Sequence, residues 1–300
     1  MPVDWRSGAA ETRGEPRGDK SSYSYAADGH LSEAEARKYA PIIVEAGNKS
    51  GNSRPYENDA DEIFVHNSTS ACEDTAPDQE TSFSITLASL YTIFNTDFLI
   101  ANNITCIVNM AGCHAPHGAA DYYASDFERY PKLMAPVQKL CGSNIKKLLD
   151  EGEEGFKQFY KETYGIDWLA IEGADDSWEY NIGQHFVQVN AFLEKHLQEN
   201  TTTGRVNILV NCYGGYNRSG SVAVAFLLKR FLAKSLEEIL CATCPKRPMM
   251  LSKANWRPNQ VQSNFLKQLI EYEKTLRPSN KRPSSSGFHC DGDQLQDGRS

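Results

Sequence analysis

A cysteine and an arginine lie six positions apart in a segment whose residue types suit anion chemistry. Cys212 opens the run Cys-Tyr-Gly-Gly-Tyr-Asn-Arg and Arg218 closes it. A thiolate is a strong nucleophile, and a guanidinium is a planar fork that binds two oxygens of one phosphate. Because such a pair also occurs by chance, the elements on either side decide whether the spacing has meaning.

A predicted strand precedes this segment and a predicted helix follows it. Arg205–Val210 is apolar and typical of a buried strand, and Ser219–Ala233 has the pattern of an apolar helix. In an α/β sheet, ligands bind beyond the carboxyl ends of the strands, where helix N-termini offer free N–H groups to an anion. Gly214 and Gly215 allow the loop to curl so that several N–H groups converge on one phosphate. We therefore expect the loop 212–218 to bind phosphate beside a reactive thiolate.

The rest of the sequence alternates between strand and helix patterns. Further strands are predicted at 62–66, 104–110 and 167–171, and further helices at 87–102, 182–198, 236–242 and 262–274. This alternation predicts an α/β fold with a central mixed, mostly parallel sheet flanked by helices.

The same patterns predict one folded domain between two tails. The domain is expected to span 59–276, with a charged helical insertion near 112–165. The stretches 1–58 and 277–300 are poor in core-forming residues and are predicted to be disordered, although Glu33–Tyr39 suggests a short helix.

The loop resembles that of the Cys-x5-Arg phosphatase superfamily, most closely its dual-specificity branch, which reads His-Cys-x-x-Gly-x-x-Arg-Ser. Cys212, Gly215, Arg218 and Ser219 match this pattern. The segments Glu62-Ile-Phe-Val-His-Asn, Ile104-Thr-Cys-Ile-Val-Asn-Met and Phe265-Leu-Lys-Gln-Leu269 are similar to the family's first strand, a later strand and its last helix. The resemblance covers most of 60–275 and implies a protein tyrosine phosphatase-like fold of the dual-specificity type.

The resemblance also implies a role for each site residue. Cys212 is the expected nucleophile, Arg218 the phosphate clamp, and Ser219 the hydroxyl that stabilises the departing sulfur. Asp176, in the run Asp-Asp-Ser-Trp-Glu-Tyr-Asn-Ile, is the expected general acid, and Asp175 is its competitor. The residues expected to bind the substrate phosphate are Tyr213, Gly214, Gly215, Tyr216 and Asn217. This chemistry uses no metal and no other cofactor.

One departure from the family pattern concerns the residue before the nucleophile. The family has a histidine there and this chain has Asn211. Asparagine can keep a hydrogen bond but carries no charge, so we expect a slow enzyme. The loop interior contains no lysine, which favours phosphoproteins over inositol phospholipids as substrates.

The expected function is hydrolysis of phosphotyrosine, with phosphoserine and phosphothreonine as further substrates, through a phosphocysteine intermediate. The first alternative is a pseudophosphatase that binds phosphorylated partners without turnover, which Asn211 keeps open. A weaker alternative is a phosphatase of lipids, inositol phosphates or RNA 5′ ends. The sequence does not predict the oligomeric state.

Composition narrows the other possibilities. A formal net charge of -8 and a pI of about 5.5 argue against a general nucleic-acid binder. The first 20 residues contain no apolar run, and the apolar stretch Val222–Leu228 is too short to span a bilayer. A cytoplasmic protein with access to the nucleus is therefore expected.

Two groups of residues resemble half of a metal site but lack a second half: Cys241 with Cys244, and Cys113 with His114 and His117. No metal site is therefore predicted.

Overall fold

The computed structural model describes residues 30–49, 60–67, 81–112, 151, 154–177, 179–200, 204–248, 250–252 and 261–277. The strands are β1 Ala60–His66, β2 Ser82–Ala88, β3 Ile104–Asn109, β4 Asp167–Ala170 and β5 Arg205–Asn211. The helices are α1 Glu33–Lys49, α2 Thr96–Ala101, α3 at 154–164, α4 Phe186–Glu199, α5 Arg218–Arg230, α6 Leu236–Thr243 and α7 Ser263–Leu276. Short 3-10 helices lie at Leu90–Phe94 and Ile182–His185.

The strands form one five-stranded sheet in the order β1-β2-β5-β3-β4. The β2-β5, β5-β3 and β3-β4 pairs are parallel, and only the edge strand β1 runs antiparallel to its neighbour. The predicted mixed, mostly parallel sheet is therefore confirmed. Strand β5 lies at the centre, which places the residues that follow it at the carboxyl ends of β2 and β3 as well.

Buried side chains form a hydrophobic cluster on each face of the sheet. Successive residues of β3 and β5 enter different clusters: Val108 and Val210 belong to the larger one, Ile107 and Leu209 to the smaller one. The larger cluster includes α1, α4, α5, α6 and α7, and the smaller includes the first 3-10 helix, α2 and α3. Helices thus cover both faces, as predicted, because side chains alternate along each strand.

The predicted helix over 87–102 is wrong in its first part, and strand β2 was missed. Leu87 lies in β2, the 3-10 helix begins at Leu90, and α2 begins only after Asn95. The Asn95 side chain accepts a hydrogen bond from the N–H of Phe98 at 3.1 Å, which caps α2 and separates it from the preceding turn. The apolar residues of this region therefore belong to three short elements.

The prediction of a disordered tail over 1–58 is wrong for α1. This helix buries Tyr39, Ala40 and Ile43, and Glu35 forms an ion pair with Lys267 of α7 at 3.0 Å. The cause is a helical apolar stripe within a segment of low overall apolar content. Residues 1–29, 50–58 and 278–300 lie outside the described residues, so the rest of the tail prediction stays untested.

The predicted helical insertion near 112–165 is described only at its end. There α3 buries Phe156 and Tyr160, and the Tyr160 hydroxyl donates to the carbonyl of Ile93 at 2.5 Å. Residues 113–150 lie outside the described residues. Among the helices that the structure does describe, none combines the length and the apolar character needed to cross a membrane.

Candidate active site

The predicted phosphate loop lies at the carboxyl end of the central strand. Strand β5 ends at Asn211, the loop follows, and α5 begins at Arg218. Asn211 is in register with Ala88 of β2 and Asn109 of β3, so the loop faces the ends of three parallel strands. This is the position at which helix N-termini and strand ends together bind anions in α/β proteins.

Cys212 stands at the mouth of this loop with two polar neighbours. The residue is 2% exposed, and the N–H of Gly215 donates to its Sγ at 3.2 Å. The hydroxyl oxygen of Ser219, in the first turn of α5, lies 3.3 Å from the same sulfur. The thiol therefore faces the loop interior, where a main-chain amide and a hydroxyl can both stabilise a negative charge on sulfur.

Gly215 makes the tight curl of the loop possible. Its φ of +73° lies in the left-handed region, which strains any residue with a side chain. A Cβ on this residue would also lie 2.5 Å from the carbonyl group of Ala88. The loop is further fixed by the N–H of Leu90, which donates to the carbonyl of Tyr213 at 3.2 Å. Glycine is thus the residue that this position requires.

The structure brings Arg218 and Asp176 together. The Nε and Nη2 of Arg218 each lie 3.1 Å from Oδ2 of Asp176. The Nη1 of Arg218 donates to the carbonyl of Ala174 at 2.8 Å and to that of Met110 at 3.3 Å. The guanidinium edge that would clamp a phosphate is therefore occupied by the carboxylate of Asp176.

The two aspartates of the loop differ in their surroundings. Burial raises the pKa of Asp176 above its ordinary value, although Arg218 opposes this shift. Its Oδ1 is buried and has no hydrogen-bond partner among the described residues. The side chain of the exposed Asp175 instead accepts from the N–H of Asp176 at 2.8 Å. Asp176 is therefore the better placed of the two to act as a proton donor.

Arg218 remains a charged group in this setting. Burial disfavours its charge, but the neighbouring Cys212 and Asp176 outweigh this effect and raise the pKa of the guanidinium. A permanently charged fork with two N–H groups aimed at one oxyanion is the geometry that phosphate clamps use.

Asn211, which replaces the family's histidine, is fully buried and takes part in a polar contact beneath the loop. Its Nδ2 donates to Oδ1 of Asn109 at 2.8 Å, and the same oxygen accepts from the N–H of Ala111 at 3.0 Å. Asn109 in turn donates to the carbonyl of Gly112 at 3.0 Å. The amide of Asn211 thus joins the end of β5 to the turn after β3 without carrying a charge.

The remaining predicted binding residues occupy different positions around the loop. Tyr213 is 37% exposed, and its ring meets the edge of the Tyr91 ring at a centroid distance of 6.4 Å. Tyr216 packs beneath the guanidinium of Arg247 at 4.6 Å. Asn217 is buried and its carbonyl accepts from the Ser221 hydroxyl at 2.7 Å, within α5. The side chains of Tyr213 and Tyr216 and the main chain of Asn217 therefore shape and support the loop.

Three residues at the start of α7 hold the loop that contains Asp176, and the sequence did not reveal them. We call this segment the acid loop, because Asp176 is its predicted general acid. Gln262 donates to the carbonyl of Asp176 at 3.1 Å, and Asn264 and Gln268 each donate to the carbonyl of Tyr180 at 2.9 Å. These amides fix the backbone at Asp176 itself and at Tyr180, four residues after it. No spacing pattern relates them to Asp176, although the resemblance of the last helix pointed to this region.

No group of three or more potential metal ligands occurs among the described residues. Cys241 and Cys244 lie at the end of α6, and the residues 113–117 that contain the other predicted half-site lie outside the described residues.

Comparison with known proteins places this geometry in a family. Residues 130–275 match the family model "Dual specificity phosphatase, catalytic domain". The chain is 30% identical over 153 residues to dual specificity protein phosphatase 9 of Homo sapiens, a match that covers 51% of this chain and 35% of that protein. It is 28% identical over 151 residues to MAP kinase phosphatase with leucine-rich repeats protein 3 of Dictyostelium discoideum, which covers 49% of this chain and 15% of that protein.

These matches thus span well under half of the length of both relatives. Among solved structures, that of human DUSP28 aligns with a TM-score of 0.39 and 16% identity, covering 67% of this chain and 91% of that chain. The matched residues include the acid loop, the phosphate loop and the helices that hold them. The match assigns residues 130–275, just under half of the chain, to the dual-specificity phosphatase branch of the cysteine-dependent protein tyrosine phosphatase superfamily.

Proposed function

We propose that this protein hydrolyses phosphotyrosine in phosphoproteins, with phosphoserine and phosphothreonine as further substrates, through a phosphocysteine intermediate. The observation that carries the proposal is the position of Cys212. Its sulfur faces the N–H of Gly215 and the hydroxyl of Ser219, next to the start of α5 and to a partly buried arginine-aspartate pair.

In the first step, the thiolate of Cys212 attacks phosphorus and the bond from phosphorus to the substrate oxygen breaks. Asp176, in its protonated form, gives its proton to the departing oxygen. When the substrate binds, Arg218 releases the carboxyl group of Asp176 and binds two phosphate oxygens instead. Its Nε and Nη2 are already arranged for this, because both lie next to the same oxygen of Asp176. Substrate binding thus frees the acid and fills the clamp at the same time.

In the second step, water replaces sulfur on phosphorus. Asp176, now a carboxylate, takes a proton from that water, and inorganic phosphate forms as the phosphorus–sulfur bond breaks. The electron pair of that bond returns to Cys212 as a thiolate. Ser219 supports this departure, since its hydroxyl lies 3.3 Å from the sulfur. All the groups needed for both steps belong to the protein or to water.

The substrate class rests on the loop composition and on the relatives. The loop interior 213–217 contains two tyrosines, two glycines and one asparagine, and therefore no lysine that could match a highly charged inositol headgroup. Both relatives carry names of protein phosphatases. A phosphorylated protein is thus the proposed partner.

Turnover of an aryl phosphate and of a phosphotyrosine peptide by the full chain tests the proposal. Hydrolysis of both, with inhibition by vanadate and no effect of a chelator, is the expected result. Absence of hydrolysis, or hydrolysis that requires a metal ion, would contradict it. A parallel panel with phosphoserine peptide, inositol phosphates, phosphoinositides and RNA 5′-triphosphate separates the weaker alternatives.

A pseudophosphatase is the second candidate, and two contacts favour it. Arg218 is already engaged by Asp176, and Asn211 places no charge beneath the nucleophile. Such a protein would bind the phosphate mimic tungstate, as measured by calorimetry, without turning over any substrate in the panel. The retained constellation of Cys212, Arg218 and Asp176 favours the enzyme.

A further inference from the structure

The main-chain amides of the phosphate loop can face an anion only if the carbonyls of the same peptide groups point away from it. In a planar trans peptide, the N–H and C=O bonds point in opposite directions. The N–H of Gly215 points to the sulfur of Cys212, so the carbonyl of Gly214, in the same peptide group, must point outward. Outward carbonyls in a buried loop need donors of their own.

Arg247 supplies these donors. Its Nη2 donates to the carbonyl of Gly214 and its Nε to the carbonyl of Gly215, both at 3.1 Å. The second contact fixes the next peptide group, whose N–H belongs to Tyr216, in the same orientation. One guanidinium therefore holds two consecutive peptide groups of the loop with their amides turned toward the pocket.

Arg247 is itself held on three sides. It is 3% exposed, its Nη1 forms an ion pair with Asp61 of β1 at 3.0 Å, and its guanidinium stacks on the Tyr216 ring at 4.6 Å. The closeness of the packing is evident at Gly215, where a Cβ would lie 2.7 Å from Nη2. A buried guanidinium whose three nitrogens each donate a hydrogen bond is a rigid support.

We propose that Arg247 is a positioning residue of the phosphate site, which sets the anion-binding conformation of the loop from behind, and that Asp61 orients it. This inference rests on the proposed function, because it concerns the same loop. It adds a role for the antiparallel edge strand β1, which otherwise lies at the far side of β2 from the loop. Arg247 touches no substrate and acts only through the carbonyls of Gly214 and Gly215.

The first test compares Arg247→Ala with Arg230→Ala in the full chain, using calorimetric binding of tungstate. Arg230 is a matched control, because it forms an ion pair with Glu194 at 3.0 Å and its side chain is 11% exposed. Arg247→Ala should weaken tungstate binding about 10- to 100-fold, the usual effect of losing hydrogen bonds from a charged group. Arg230→Ala should bind tungstate with unchanged affinity.

Chemical rescue separates positioning from general damage. Millimolar guanidinium chloride, far below denaturing concentrations, should restore part of the tungstate affinity of Arg247→Ala, whereas sodium chloride should not. A folded Arg247→Ala protein with wild-type affinity would overturn the inference. So would a loss of affinity that guanidinium repairs no better than sodium.

Milder variants keep the test decisive if Arg247→Ala does not fold. Arg247→Lys retains the charge but cannot serve two carbonyls and Asp61 at once, so its tungstate affinity should fall about 10-fold, and that of Asp61→Asn by less. Wild-type affinity in folded Arg247→Lys would overturn the inference. Failure of the proposed function looks different, because the wild type would then bind tungstate but hydrolyse nothing.

Discussion

Two cysteines of this protein are equally buried and stand at opposite ends of helices. Cys212 is 2% exposed and lies at the beginning of the loop that leads into the N-terminus of α5, whereas Cys244 is 1% exposed and lies just after the C-terminus of α6. The first has a backbone N–H and a hydroxyl near its sulfur. For the second, burial, together with nearby Cys241, raises the pKa of the thiol to about 12.

The comparison shows that burial alone does not decide what a thiol can do. A helix N-terminus favours a negative charge and a C-terminus disfavours it, and polar donors add to the first effect. Cys212 meets both conditions for a nucleophile. Cys244 follows a helix C-terminus, and a hydrogen bond with the Thr243 side chain only partly offsets the effect of burial on its pKa. The sequence motif and the helix boundary, more than the exposed surface, thus favour Cys212 as the proposed nucleophile.

The largest effect that tests this comparison is expected when each of the two cysteines is replaced by serine. Cys212→Ser should abolish turnover of an aryl phosphate, because the hydroxyl is a far weaker nucleophile at neutral pH. Cys244→Ser should lower the free energy of unfolding by about 1–3 kcal/mol, since a hydroxyl then replaces a thiol in an apolar site, while turnover by the folded protein is retained. Urea unfolding and steady-state kinetics measure the two effects; a loss of turnover in folded Cys244→Ser would contradict the assignment.

The acid provides the next largest effect. Asp176→Asn should slow turnover by roughly 10²–10⁴-fold, whereas Asp175→Asn, its neighbouring control, should have little effect. Because burial raises the pKa of Asp176, its carboxyl stays protonated to a higher pH than an exposed aspartate. Turnover by the wild type should therefore fall as the pH rises through that pKa.

The Asp176→Asn variant should lack this alkaline decline, since an amide has no proton to lose in this range. A pH profile of turnover checks both statements. A retained decline in Asp176→Asn, with loss of the decline in Asp175→Asn, would reassign the acid to Asp175.

Alkylation measures the difference between the two thiols directly. Iodoacetamide at neutral pH should modify Cys212 about tenfold faster than Cys244, and tungstate should protect Cys212 alone. The reason is that a thiol with a pKa of about 12 is almost entirely protonated under these conditions. Peptide mass spectrometry follows both sites in one sample. Faster modification of Cys244 would contradict the comparison.

The smallest expected effect concerns the N-terminal cap of α6, the helix that ends just before Cys244. Ser235 caps α6 in a reciprocal capping box with Glu238, with the Ser235 N–H donating to Glu238 at 2.7 Å. Ser235→Ala should lower the free energy of unfolding by about 1 kcal/mol. Turnover should not change, because this cap lies at the other end of α6 from Arg247; thermal unfolding and kinetics test this together.

The sequence predicted the part of the site that is local in the chain. The loop from Cys212 to Arg218, the strand before it and the helix after it form one contiguous segment, so their composition carries the signal. Asp176 was predicted as the general acid only through the family pattern that surrounds it. The order of the sheet, with β5 at its centre, did not follow from the strand patterns.

The residues that hold the two loops of the site in place could not be predicted, because they contact residues that are remote in the sequence. Arg247 binds Gly215 across 32 positions, and Gln262 binds Asp176 across 86 positions. A buried arginine and an exposed one look alike in a sequence.

Strand β2 was missed although Phe83, Ile85 and Leu87 alternate with polar residues, a usable signal of a strand. Its polar face is buried as well, since Ser84 donates to Asn207 of β5 at 2.8 Å.

The measurement that tests the central claim most directly is capture of the covalent intermediate. Ser219→Ala should slow the second step, because the hydroxyl 3.3 Å from the sulfur no longer supports its departure. Acid quenching of this variant during turnover of an aryl phosphate, followed by peptide mass spectrometry, should find one phosphoryl group on Cys212. Undiminished turnover with no phosphorylated Cys212, or a phosphoryl group on another residue, would contradict the account.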